Sequence, residues 1–238
     1  MNGPFALWVY LSSTPLLWLT VTLCAWLVAD WLALRAGRNP LVNPVLLAVV
    51  LVGAILLATG TPYESYFEGA QFVHFLLGPA IVALAVPLVR NRALVRQNLL
   101  PLLAALVVGC VTAVVSVLVI GKLVGLPDAV LIAVSPKSVT APVAMGISEK
   151  LGGAPSLTAV LVILTGVLGA VIVTPMMNAL GIRDYAARGF AVGLASHGIG
   201  VARAFNVDAT AGTFAGIAMG LNAILTAILV PLLVGWLL

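Results

Sequence analysis

Apolar runs long enough to cross a bilayer follow one another along almost the whole chain, and this leaves it few folds. They cover approximately 15–34, 43–60, 72–89, 99–121, 129–147, 157–179, 187–205 and 212–237. A helix needs about 20 residues to cross a hydrocarbon core of about 30 Å. In lipid every backbone N–H and C=O must find a partner within the protein, so only helices and closed barrels span it. The runs are continuous rather than alternating, which excludes a barrel. The expected fold is an all-α integral membrane protein of about eight transmembrane segments, forming one membrane domain over 1–238. Charged residues are 8% of the chain, against roughly 25% in a soluble domain, and no stretch is polar enough for a separate soluble domain.

The net charge of +4 sits mostly in loops. Arg35 and Arg38 follow the first run, and Arg90, Arg92 and Arg96 follow the third. Such clusters read as positive-inside determinants rather than as a nucleic-acid surface. Eight full crossings then put both termini outside and turn Arg183 and Arg188 outward; a re-entrant segment reverses everything after it. Residues 3–14 suit a short interfacial helix. Residues 61–71, with two acids and two tyrosines, suit an interfacial loop. Asp30 is expected to pair with Arg35, and Asn43 to cap a helix opened by Pro44. The N-terminus lacks the basic region of a secretory signal, so the first run is expected to be retained. Cys24 and Cys110 lie in apolar runs and offer neither a disulfide framework nor metal-ligand spacing. Nucleophile elbows, zinc-protease pairs and phosphate-binding glycine loops are missing, so neither an enzyme nor a cofactor is expected.

One polar stretch interrupts the fifth run. Ser135-Pro136-Lys137-Ser138-Val139-Thr140-Ala141-Pro142 places a lysine, three hydroxyls and two prolines at membrane depth. Pro136 and Pro142 break or kink a helix. Irregular backbone and charge are tolerated there only where they line a cavity or are covered by protein. Lys137 then reads as an ammonium that attracts an anion, with Ser138 and Thr140 bonding it, assisted by the positive end of the helix beginning near Ala141. The alternative is a lysine that snorkels to the interface.

A second interruption lies in the seventh run, at Ser196-His197-Gly198-Ile199-Gly200-Val201-Ala202-Arg203. Gly198 and Gly200 allow a bend or a close helix approach. His197 is either a proton-coupling group or a neutral imidazole bonded to a neighbouring helix. Arg203 either forks onto a carboxylate or pairs with Asp208 near the interface. Gly78-Pro79 is a third expected break, without charge, and Thr174-Pro175 reads as a kink. Asn222 is expected to bond another helix. Gly166 and Gly169 permit close packing against an unspecified neighbour.

The chain carries a faint internal echo between about 105–146 and 161–205. Gly125-Leu126-Pro127-Asp128 matches Gly181-Ile182-Arg183-Asp184, and the two polar breaks follow at similar distances. Paired interrupted segments point to a transporter's binding site. Whether the halves are inverted is left open.

These motifs resemble the LrgB/CidB family. The resemblance rests on Leu41-Val42-Asn43-Pro44, Tyr63-Glu64-Ser65-Tyr66, Leu76–Leu88, Pro136–Met145, Gly153–Val160 and Ala195–Ala204, in that order. It covers nearly everything from residue 40 onward. Ala141-Pro142 stands where the family often has Thr-Pro. The resemblance implies a bacterial inner-membrane protein and carries two functional descriptions. One is a holin/antiholin-like regulator of murein hydrolase activity and lysis. The other is transport of a small anionic substrate of the pyruvate, glycolate or glycerate class, with a small LrgA/CidA-type membrane subunit or a homo-oligomer as partners. The expected binding residues are Lys137, Ser138, Thr140, Ser196, His197 and Arg203. The expected hinges are Gly78, Pro79, Pro136, Pro142, Gly198 and Gly200.

Overall fold

A computed structural model describes residues 14–39, 41–76 and 92–238, with Pro79, Val82 and Val89 between them. Every element among the described residues is a helix, as the membrane environment demands. The chain forms two compact units, 1–83 and 84–238.

The first unit contains α1 (Pro15–Arg35), α2 (Pro44–Thr59) and α3 (Tyr63–Phe75). Asn43 caps α2 as expected, its Oδ1 accepting from the Val45 and Leu46 amides at 2.9 and 3.2 Å. Residues 63–71 are helical, not a loop. Gly69 brings α3 against the α1 backbone, where an added Cβ would come within 2.8 Å of Trp18 Cβ. Trp18 meets Tyr66 edge to face at 6.1 Å. Aromatic packing of this kind outweighs two acids that stay on the exposed face. Asp30 pairs with Arg38 at 2.5 Å rather than with Arg35, because Arg35 instead lies over the Trp31 ring at 4.2 Å. Residues 3–13 of the interfacial segment expected at 3–14 lie outside the described residues, as does Gly78 of the expected Gly78-Pro79 break.

The second unit contains α4 (Arg92–Gln97), α5 (Leu99–Leu123), α6 (Asp128–Val134), α7 (Ala141–Lys150), α8 (Pro155–Ala179), α9 (Tyr185–Val207) and α10 (Ala209–Leu237). With α1, the helices α5, α8 and α10 are the four described helices long and apolar enough to cross a membrane. On α10 the buried residues Asn222, Thr226, Val230 and Val234 repeat every four positions, and Ile224, Ile228 and Leu232 face outward. One stripe packs on protein and the other meets lipid.

The segments expected to cross at 129–147 and 187–205 do not cross. Both turn back. In α9, Gly200 packs against the Val192 carbonyl, where an added Cβ would lie 2.7 Å away. A continuous helix would separate these residues by about 12 Å. Arg188 and Arg203 both donate to Thr174, although a continuous helix would hold them about 22 Å apart. The fold-back occurs at Ser196 (φ −131°, ψ 17°) and His197 (φ 40°, ψ −138°). In the first broken segment, α6 and α7 pack side by side. Leu131 and Ile147 share a core cluster with Leu118 and Val234. An added Cβ on Gly153, just past α7, would sit 2.8 Å from Ile132 Cγ2.

Two re-entrant hairpins therefore replace two crossings, and the later directions reverse. Lys122 at the end of α5 donates to the Leu237 carbonyl at the end of α10, so these ends share a face. Asn98 and Asp184 line one cavity of about 380 Å³, so the start of α5 and the start of α9 share the opposite face. Arg92, Arg96, Arg183 and Arg188 thus gather at one side of this unit, which corrects the outward placement of the last two. The hairpin α6–α7 enters from the Lys122 side and α9 from the Arg188 side. Gly125 and Gly181 adopt φ of 78° and 68° in the turns that close α5 and α8, a conformation that glycine alone adopts without strain.

Candidate functional site

The break between α6 and α7 is held by short-range bonds that leave much of its backbone available. Lys137 N donates to Val134 O at 3.1 Å and Val139 N to Pro136 O at 3.2 Å. Ser135 Oγ returns to Ile132 O at 2.9 Å. Prolines at 136 and 142 make a regular helix impossible across this stretch. Ser138 and Val139 are buried and Lys137 is half-buried. Among the described residues no carboxylate or other acceptor pairs with the Lys137 ammonium. Thr140 occupies the N-cap of α7 without a side-chain bond to its amides.

The break in α9 is strained. His197 takes φ of 40°, a region sparsely populated by residues with a side chain and retained where the surroundings dictate it. Its surroundings are on α8. His197 Nε2 lies 2.9 Å from Val162 O. A carbonyl only accepts, so Nε2 bears the hydrogen and Nδ1 is the remaining nitrogen. Gly166 gives the ring its place, since an added Cβ would lie 2.7 Å from Cε1 and Nε2, and Gly169 does the same for Ser196. The glycines expected to pack closely thus receive the tip of the second hairpin. Gly166→Ala should lower the thermal midpoint in detergent by several degrees, the effect of about 1–3 kcal/mol of overpacking. An unchanged midpoint would mean that the tip relaxes freely.

The two tips meet at Asn222. This fully buried side chain on α10 donates from Nδ2 to Leu194 O at 3.0 Å, just before the α9 break. It also reaches Ser138 O and Ser138 Oγ, both at 3.4 Å, within the first break. Thr226 Oγ1 donates to Asn222 Oδ1 at 3.1 Å, and Cys110 Sγ on α5 lies 3.3 Å from Thr226 Oγ1. A carbonyl released from helical pairing by a break needs such a partner in a low-dielectric interior. Ser196 Oγ is buried, and no group among the described residues bonds it.

The expected residues thus sort by position. Ser138 and Ser196–His197 belong to the two tips, with Lys137 and Thr140 beside Ser138. Arg203 lies apart, near the end of the second arm, where Nη2 donates to Thr174 Oγ1 at 3.4 Å. Asp208 is engaged elsewhere, capping α10 through the Thr210 and Ala211 amides at 2.7 and 3.1 Å. The sequence does not indicate the linking role of Asn222 or the parts of Thr226, Val162 and Arg188. An asparagine isolated in the long apolar run of α10 was the one available signal.

Comparison with known proteins gives a consistent picture. The LrgB-like family model matches residues 22–236. A protein of Bacillus subtilis called YxaC is 35% identical over 198 residues, covering 83% of this chain and 86% of that protein. The holin-like protein CidB of Staphylococcus epidermidis is 32% identical over 197 residues, with the same coverage. Staphylococcus aureus CidB, also named holin-like, is 31% identical over 196 residues, covering 82% of this chain and 86% of that protein. No solved structure matches.

Proposed function

The chain belongs to the LrgB-like family, and from that premise we propose that it carries small monocarboxylates of the pyruvate, glycolate or glycerate class across a bacterial inner membrane. The observation behind this reading is the meeting of two re-entrant tips at Asn222. Hairpins that enter from opposite faces and touch near the middle divide the path of a solute into two halves. That arrangement suits alternating access, in which the hairpin unit shifts against the other helices. The order α5, hairpin, α8, hairpin then reads as an inverted repeat, with α10 behind both tips.

In this mechanism the Lys137 ammonium attracts the carboxylate. Ser138, Thr140 and Ser196 supply hydroxyls, and the arms following each break direct helix N-termini toward it. His197 Nδ1 is the proton-coupling atom, since Nε2 is committed to Val162 O. The arginine-rich face is cytoplasmic by the positive-inside rule. The test is uptake of labelled pyruvate by proteoliposomes. Saturable uptake supports a carrier; linear, unsaturable flux supports a channel, and no flux removes the reading.

A second reading has its own support. Two of the relatives are named holin-like, and these names favour a membrane protein that modulates murein hydrolase activity and lysis through a small LrgA/CidA-type partner or its own oligomer. It predicts dye release from vesicles, or autolysis in cells, that persists in variants unable to take up pyruvate.

A further inference from the structure

We infer that the cleft between α8 and the re-entrant α9 is an oxyanion site at the arginine-rich face, the entry vestibule of the proposed carrier, in which Arg188 and Arg203 are the recruiting pair; the vestibule role rests on the carrier reading. Because α9 turns back, guanidinium groups from its two arms converge on the end of α8. Arg188 Nη2 donates to Thr174 O at 3.3 Å and to Asn178 Oδ1 at 2.7 Å. Arg203 Nη2 donates to Thr174 Oγ1. Both acceptors of Arg188 are neutral, so they leave its charge uncompensated. Both Arg188 bonds use Nη2. A guanidinium has five donors in a planar fork, so Arg188 retains Nε and Nη1 for a ligand.

A second cavity shares two lining residues with the cleft beside the pair. Thr174, Tyr185, Arg188 and Arg203 line a narrow cleft of about 20 Å³ that also touches Val173 and Val192. Val173 and Val192 line a second cavity of about 130 Å³ as well, with Gly169 and Ser196 at its inner end. Neither lining includes a carboxylate. The Ser196 hydroxyl, 1% exposed and bonded by no group among the described residues, lies at the hairpin tip. Val173 and Val192 thus stand between a polar mouth and a cavity that reaches Ser196 at the tip. The mouth selects charge and the two valines exclude water until the hairpin shifts.

The chemistry recognised at the mouth is a singly charged oxyanion, either a dissolved carboxylate or a lipid phosphate. The probe is Val207→Cys, at the mouth, in a Cys24→Ser, Cys110→Ala background. In phosphatidylcholine vesicles its labelling is compared for anionic sulfonatoethyl and cationic trimethylammonioethyl thiosulfonates. Arg188→Gln should lower the anionic-to-cationic rate ratio about tenfold, Arg203→Gln should act in the same direction, and Arg188→Lys should largely keep the ratio. Millimolar pyruvate should slow labelling. Slowing only when phosphatidylglycerol is added supports the oxyanion site with lipid as its occupant, and overturns the vestibule. Ratios indifferent to both arginine substitutions overturn the site itself. The ratio is read without uptake, so an intact ratio in a protein that moves no pyruvate would remove the carrier reading alone.

Discussion

Proteoliposomes bearing Lys137→Ala should take up labelled pyruvate no faster than empty vesicles, while the protein keeps its monodisperse profile and melting behaviour. The expectation follows from placement. Lys137 sits half-buried in the unwound segment between α6 and α7, adjacent in sequence to Ser138, which Asn222 bonds. Among the described residues it bonds no acceptor that would make it a structural strut. Removing it therefore leaves no buried carboxylate stranded, which is the usual origin of severe destabilisation when one member of an ion pair is lost. The loss should fall on substrate attraction, at least about a hundredfold in kcat/KM, the value of a charge-assisted contact of about 3 kcal/mol. Lys137→Arg should recover part of the uptake, since it restores charge with different geometry. Uptake that persists in Lys137→Ala would take the lysine out of the site. Dye release or lysis surviving in the same variant would favour the holin-like reading instead.

Asn222→Leu should loosen both re-entrant tips of the second unit together. The side chain is fully buried and bonds Leu194 O, Ser138 and Thr226 at once. Leucine of similar size fills the space but leaves the Leu194 and Ser138 carbonyls without the donor they share. Each such orphan costs about 1–3 kcal/mol, giving a loss of about 2–6 kcal/mol for the two. The thermal midpoint should drop by many degrees, and protease sites near residues 135–140 and 196–200 should open together. Opening at only one tip would show that the asparagine serves one hairpin and does not couple the two. Asn222→Asp tests the same point differently. It keeps the bond from Thr226 but turns the donor facing Leu194 O and Ser138 O into an acceptor, so it should loosen both tips without creating a cavity.

These two residues also mark where sequence reasoning reached and where it stopped. Lys137 was conspicuous because charge beside prolines at membrane depth has few structural explanations. Asn222 stands out as a polar residue in an apolar run, yet the sequence does not name its neighbours, which are backbone carbonyls that breaks on other segments expose. The sequence turns Arg188 to the opposite face because apolar length alone does not distinguish a crossing from a re-entrant hairpin. A stretch of about 20 apolar residues reads alike whether it crosses once or folds into two arms of half that length. His197 illustrates the same limit on a smaller scale. Its alternatives were proton coupling or a bond to a neighbouring helix, and the bond to Val162 O uses one ring nitrogen only.

Sequence alone determined the helical membrane class and the sites of the two interruptions. Both rest on local properties: apolar length, proline's missing donor, glycine's freedom, and the cost of charge in lipid. Only the tertiary structure decided that each interrupted segment returns to its own face and that the two tips share one asparagine. The direction of the chain after a break depends on a few backbone dihedrals, and those are selected by packing against α8 and α10. Gly166, Gly169 and Asn222, distant in sequence from the residues they receive, hold that choice in place.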